Sequence, residues 1–206
     1  MKCSIVDIHT HRPTGKALEP SFAGIHPWQA ETRRIEEIVP RFGEVDLVGE
    51  IGLDYAGTVG REAQLRIFRE QLDWAERLGK PVVLHCVKAF EAVMRELAPH
   101  ALRAVIFHGF IGSSQQAAEA IKKGYYLSFG ERTFRSPRTV EALRRTPVEN
   151  LFAETDESDV PIEEIYRRIA QAKDLDPELL KCAIYRNYRV IFLSLIHISE
   201  PTRPRL

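Results

Sequence analysis

Ile5-Val6-Asp7-Ile8-His9-Thr10-His11 is an apolar run that carries two histidines at its far end, and four later segments repeat the arrangement. They are Leu47-Val48-Gly49-Glu50, Val82-Val83-Leu84-His85, Val105-Ile106-Phe107-His108 and Leu151-Phe152-Ala153-Glu154-Thr155-Asp156. Each is strand-length, rich in Val, Ile, Leu and Phe, and leads into a side chain able to bind a metal. Near-continuous apolar strands are expected of a parallel sheet buried on both faces. A barrel of such strands gathers the residues at their C-terminal ends on one rim, however far apart they lie in sequence.

The intervening segments have helical period, so the chain alternates β and α. Strands are expected at 5–11, 22–27, 45–51, 82–86, 104–109, 125–129 and 151–155. An amphipathic stretch is expected over 31–42, and helices over 61–78, 89–97, 113–123, 137–145, 161–172 and 177–192. The helix over 61–78 turns Leu65, Phe68, Leu72 and Ala75 to one face and stops at Gly79, while Ser113 or Ser114 is placed to cap 113–123 before Gly124 ends it. About seven strands give an α/β fold of the TIM-type (β/α) barrel, slightly shortened, with the site at its C-terminal rim. An open doubly wound sheet is the alternative, disfavoured because five different strands end in such residues whereas an open sheet concentrates its site at one crevice.

The 206 residues suit one domain over 1–192. From Leu193 to Leu206 two prolines and a lost helical period break the pattern, so this tail is expected to be foreign to the domain. Lys and Arg number 29, as do Asp and Glu, so no global field recruits nucleic acid or an anionic membrane. Nothing approaches the ~20 apolar residues of a spanning helix or the pattern of a signal peptide. Cys3, Cys86 and Cys182 fit neither a disulfide framework nor a zinc knuckle, and are expected as reduced thiols in a cytoplasmic protein.

Residues i and i+2 of a strand share a face, so His9 and His11 can chelate one ion. His-x-His alone is weak evidence. With Glu50, His85, His108 and Asp156 each near the end of its own strand, a metal site becomes the stronger reading, and a carboxylate can bridge two ions where an imidazole cannot. Glu50 is the natural bridge. One divalent ion would take His9, His11, Glu50 and Asp156, and the other Glu50, His85 and His108, with Mg, Mn and Zn all open as identities.

These residues resemble the TatD family of metal-dependent hydrolases, within the amidohydrolase-like barrels. The resemblance rests on Asp7-Ile8-His9-Thr10-His11, Gly24-Ile25-His26-Pro27, Gly49-Glu50-Ile51-Gly52-Leu53-Asp54, Leu84-His85-Cys86, His108-Gly109-Phe110 with Gly112, and Glu154-Thr155-Asp156, in order over nearly all of 5–192. It implies the same ligand roles, with Glu50 and Asp156 as the catalytic carboxylates and Asp156 accepting the proton of the attacking water. It also implies phosphodiester hydrolysis of the DNase or exonuclease kind, with DNA or a small phosphodiester as substrate. Three features depart from the family pattern. Only fourteen residues separate His11 from His26, where the family usually has a further βα unit. Asp156 is followed by Glu157-Ser158 in place of a small residue and proline, and His85 by Cys86-Val87-Lys88, without the arginine commonly found two places on.

Around the ligands, His26, Lys88 and Arg132 are candidate substrate contacts, each weighed against a solvated or structural role. Asp54 and Glu154 are candidates to orient the ligating histidines. Arg132, Arg135, Arg138, Arg144 and Arg145 form a basic run that either meets a nucleic-acid backbone or simply covers a surface helix. Trp28 reads as core, or as a stacking partner for a base or sugar, and Trp74 as core. His100 and His197 read as uninvolved. Amide, ester or lactone hydrolysis in the same cage, and a binding protein that has lost turnover, remain alternatives. No obligate protein partner is inferred.

Overall fold

The computed structural model describes residues 2–193. The expected foreign tail therefore lies, apart from Leu193, outside the described residues. Six parallel strands form one sheet in sequence order: β1 (Phe22–Ala23), β2 (Leu47–Asp54), β3 (Val82–Val87), β4 (Val105–Phe107), β5 (Tyr126–Phe129) and β6 (Leu151–Ala153). The connecting helices are α1 (Val39–Phe42), α2 (Arg61–Arg77), α3 (Phe90–Leu97), α4 (Ser114–Lys122), α5 (Pro137–Arg145), α6 (Ile162–Lys173) and α7 (Pro177–Phe192). Leu47, Val48, Val82, Val83, Leu84, Ile106, Leu127, Phe152 and Ala153 are fully buried, as strands covered on both faces require.

The segment 5–11 forms no ladder strand and bends at Ile8 and His9, which corrects the expectation of a full strand there. It is joined by isolated parallel bridges on both sides, Val6 to Leu18 and Thr10 to Asp156. The Asp7 N–H donates to the Leu18 carbonyl and the Ile8 N–H to the Ala153 carbonyl, so the segment spans the gap between β6 and the chain leading into β1. Side chains supply what the ladder lacks. The Tyr166 hydroxyl on α6 bonds both the N–H and the carbonyl of Val6. The Asp7 carboxylate accepts from the Thr155 N–H at 2.9 Å and the Thr155 hydroxyl at 2.6 Å.

Cys3 and Cys182 are disulfide-bonded, Cα to Cα 5.2 Å, tying the N-terminal end of this segment to α7. This overturns the expectation of three reduced thiols and with it the cysteine-based reason for placing the protein in a reducing compartment. The two residues are 179 apart in sequence, and only the docking of α7 brings them together. Cys86 is free and half-buried. No described helix is long and apolar enough to cross a membrane.

The amphipathic stretch expected over 31–42 is a 3-10 turn, Ile35–Glu37, followed by the single-turn α1. Pro40 has no N–H and belongs only in a first helical turn, so no longer helix can run through it. The other helices match their expected positions within a residue or two. In α2, Phe68 and Leu72 are fully buried, each contributing roughly 1.5–3 kcal/mol of transfer energy. Ser113 caps α4 in a reciprocal capping box with Gln116.

The second strand runs to Asp54, beyond its expected end near 51, with a register shift against β3 between Val48 and Ile51. Glycine permits this: Gly52 has φ +139, and a Cβ there would lie 2.0 Å from the His85 carbonyl oxygen. Glu50 therefore sits within its strand rather than at its end.

Candidate metal centre

Four of the six expected ligands, all histidines, turn their side chains to a fifth, Glu50. Its Oε2 is 3.4 Å from His9 Nε2 and 3.5 Å from His11 Nε2. Its Oε1 is 2.5 Å from His85 Nδ1 and 2.7 Å from His108 Nε2. Asp156 Oδ1 closes the first group, 3.8 Å from His9 Nε2 and 3.7 Å from His11 Nε2. One carboxylate thus presents each of its oxygens to a separate cluster of nitrogens.

His26 belongs to this cluster more closely than a peripheral substrate contact would. Its Nε2 lies 3.4 Å from Glu50 Oε1 and 3.2 Å from His85 Nδ1. Four overlapping triads have donor atoms within 4.8 Å of one another: His9, Glu50 and His108; His9, His11 and Asp156; His26, Glu50 and His85; and His108, Glu154 and Asp156.

The donor set fits divalent ions on an observation independent of pattern. His9 is fully buried, yet neither of its ring nitrogens has a hydrogen-bond partner. A buried imidazole left unpaired is costly, and a cation between it and the facing carboxylates removes that cost. The 3.4–3.8 Å separations around His9 suit two groups that each lie about 2 Å from a shared ion.

The carboxylates expected to orient the histidines lie against them. His85 turns its second nitrogen, Nε2, to Asp54 Oδ2 at 3.2 Å, and His108 turns Nδ1 to Glu154 Oε1 at 3.3 Å. Each ring is thereby held with one nitrogen toward Glu50 and the other on a second carboxylate, which sets its orientation. Asp54 is held in turn by the Trp28 indole N–H at 2.8 Å and by the backbone N–H of Ala56 at 2.8 Å.

The electrostatics follow from packing these charges together. Burial opposes ionisation of Glu50, but hydrogen bonds from His108, His11, His26 and His85 outweigh it and hold the carboxyl far below the usual range. For His108, burial works against the imidazolium, while Glu154 and Glu50 push its pKa well up. The hydrogen bond to Glu50 raises His11. Burial, with Glu154 nearby, raises Asp156. Asp7 is raised to about 7 by burial, against its hydrogen bonds from Thr155.

Asp156 has φ +54, a left-handed conformation that costs a non-glycine residue energy, and its backbone is locked to His9 and His11 by two hydrogen bonds. Buried glutamines position two other segments, and the sequence reading missed them. Gln71 on α2 bonds both the N–H and the carbonyl of Ile25, beside His26, and Gln64 does the same for Asp54. Their signal was a polar residue recurring seven apart on the inner face of an otherwise apolar helix.

Arg132, in the turn after β5, lines the two compartments that flank the Glu50 cluster. Lys88 does not; it lines a third compartment, of about 410 Å³, behind His108. The basic run separates: Arg135 pairs with Glu131, and Arg144 and Arg145 with Glu141, so it forms no continuous cationic face. His100 bonds Glu76, away from the centre. Trp74 is half-buried against the core, whereas Trp28 is 62% exposed and is not a core residue.

The family described as TatD related DNase matches residues 17–193. The uncharacterized metal-dependent hydrolase YjjV of Escherichia coli (strain K12) is 33% identical over 157 residues, 70% of this chain and 61% of that protein. The 3'-5' ssDNA/RNA exonuclease TatD of Citrobacter koseri is 28% identical over 202 residues, 84% of this chain and 77% of that protein. The crystal structure of YjjV, a TatD homolog from Escherichia coli K12, aligns with TM-score 0.77 at 25% identity, covering 85% of this chain and 77% of that one. In four of the curated relatives the match spans only 46–61% of the relative's length. With its matched span covering most of the described residues, the chain belongs to the TatD related DNase family.

Proposed function

We propose that the chain is a divalent-metal-dependent phosphodiesterase of the nuclease kind, acting on DNA or another nucleic-acid strand. The observation that carries this reading is Glu50, whose two oxygens face two separate nitrogen clusters. His9, His11, Glu50 and Asp156 would hold one ion, and Glu50, His85 and His108 a second; Mg, Mn and Zn all suit the mixed donors. Bound ions would supply an acidified water near neutral pH and neutralise charge developing on the phosphoryl oxygens.

The chain's own groups then divide the remaining work. Asp156 accepts the proton of the attacking water at a carboxylate oxygen. Asp54 and Glu154 keep His85 and His108 turned toward Glu50. Arg132, on the wall shared by both compartments, offers a planar fork to the non-bridging oxygens of the scissile phosphate. His26, which lines the second of these compartments with Trp28, also meets the phosphate. Lys88, in the adjoining compartment that also includes His108, serves a phosphate further along the strand.

The test is hydrolysis of bis(p-nitrophenyl) phosphate and p-nitrophenyl acetate by chelator-stripped protein reloaded with Mg, Mn or Zn. The diester should be cleaved only with metal, and Glu50→Gln or Asp156→Asn should each reduce the rate by about 10³ or more. Turnover of the acetate alone, under every metal, overturns the reading.

A further inference from the structure

Trp28 follows Pro27 in a 3-10 turn, and its ring is both exposed and fixed. The indole N–H donates to Asp54 Oδ2 at 2.8 Å, and the ring stands edge-on to His26 with centroids 4.5 Å apart. Holding Asp54 requires only the N–H. It gives no reason to leave most of a tryptophan in water, since burying the ring would be favourable by a few kcal/mol, roughly.

The ring's surroundings supply that reason. Trp28 lines a compartment of about 460 Å³ whose walls also include Glu50, His85 and Asp156 and the cations Arg33 and Arg41. That volume lies within the range of small-molecule sites and accommodates one nucleotide. Arg41 is exposed and, among the described residues, makes no ion pair; Arg33 pairs with Glu37 at 3.0 Å. A fixed aromatic face that shares one compartment with two cations and a phosphate-handling centre has the composition of a site for a base and its flanking phosphate.

We propose that Trp28 is the stacking platform for the base of the nucleotide next to the scissile phosphate, with Arg41 on that nucleotide's other phosphate. The inference rests on the phosphodiesterase reading and adds that the base, and not the phosphodiester alone, determines specificity. Because the same indole holds Asp54, and Asp54 holds His85, the platform is mechanically joined to the metal centre.

Two measurements test it. In the first, kcat/KM is compared for single-stranded d(A)4 and for the same backbone with abasic residues, in the parent, Trp28→Phe and Trp28→Ala proteins. The parent should prefer the base-bearing strand by about tenfold or more, mainly through KM, Trp28→Phe should keep most of that preference, and Trp28→Ala should lose it. If Trp28 only tethers Asp54, Trp28→Phe falls as far as Trp28→Ala and the preference survives in both, which overturns the proposal.

The second measurement is independent of turnover. The chain has two tryptophans, so Trp74→Phe leaves Trp28 as the sole reporter. Titration with d(A)4 in chelator should quench its fluorescence, and the abasic strand should not. Equal quenching by both strands, or none by d(A)4, overturns the platform even where phosphodiester hydrolysis stands; quenching specific to d(A)4 supports it even where hydrolysis fails.

Discussion

At the scale of single residues, the site shows how burial converts ordinary side chains into committed ones. His9 could pair in the core with a carbonyl or a hydroxyl; instead neither ring nitrogen has a hydrogen-bond partner, and Nε2 faces Glu50 and Asp156. Asp7, two residues earlier, is the opposite case: its carboxylate is satisfied by Thr155 but pushed up by burial to about 7. Between its ordinary 3.8 and about 7 the folded chain binds more protons than the unfolded chain, so this group's contribution to stability is full at acid pH and falls as pH rises through that window. Asp7→Asn retains an acceptor for the Thr155 N–H and cannot titrate. Urea melts of metal-stripped protein should show the parent losing up to ~4 kcal/mol relative to Asp7→Asn between about pH 4 and 7.5. A constant difference across that range would refute the assignment.

At the scale of elements, two segments that reach the site are held by neighbours that the β ladder does not provide. The segment 5–11 depends on Tyr166, on Thr155 and on the Cys3–Cys182 bond as much as on its two bridges. Closing a loop of 179 residues in the unfolded chain implies that reduction, or Cys182→Ser, costs on the order of 2–5 kcal/mol, read as a lower urea midpoint. Identical midpoints with and without reductant would show that the bond does not restrain the unfolded chain. Gln71 plays the corresponding part for the end of the second segment. Gln71→Leu leaves the buried N–H and carbonyl of Ile25 unpaired, and should destabilise the fold by about 2–4 kcal/mol. Because His26 is next in the chain, KM for a phosphodiester should rise in the same variant.

At the scale of the whole molecule, six histidine, aspartate and glutamate side chains crowd one end of a neutral, densely packed fold, and their desolvation is a standing cost. Ions that bind only the folded state should offset it: saturating Mn or Zn at a hundred times its Kd raises stability by about 2.7 kcal/mol, and chelator removes the gain in a thermal melt. A chain ending at residue 193, where the family match also ends, should keep the melting temperature and the activity of the full chain. The sequence by itself determined the βα alternation, the six ligand candidates and the orienting carboxylates Asp54 and Glu154, because strand runs and helical periods are local and each candidate ends or interrupts one. Only the tertiary structure decided that His26 comes within 3.4 Å of Glu50, that Cys3 meets Cys182, that Trp28 stays exposed, and that Glu50 sits inside its strand. Those facts depend on register shifts, glycine clearances and helix docking, which bring together residues whose separation in the chain carries no record of their distance in space.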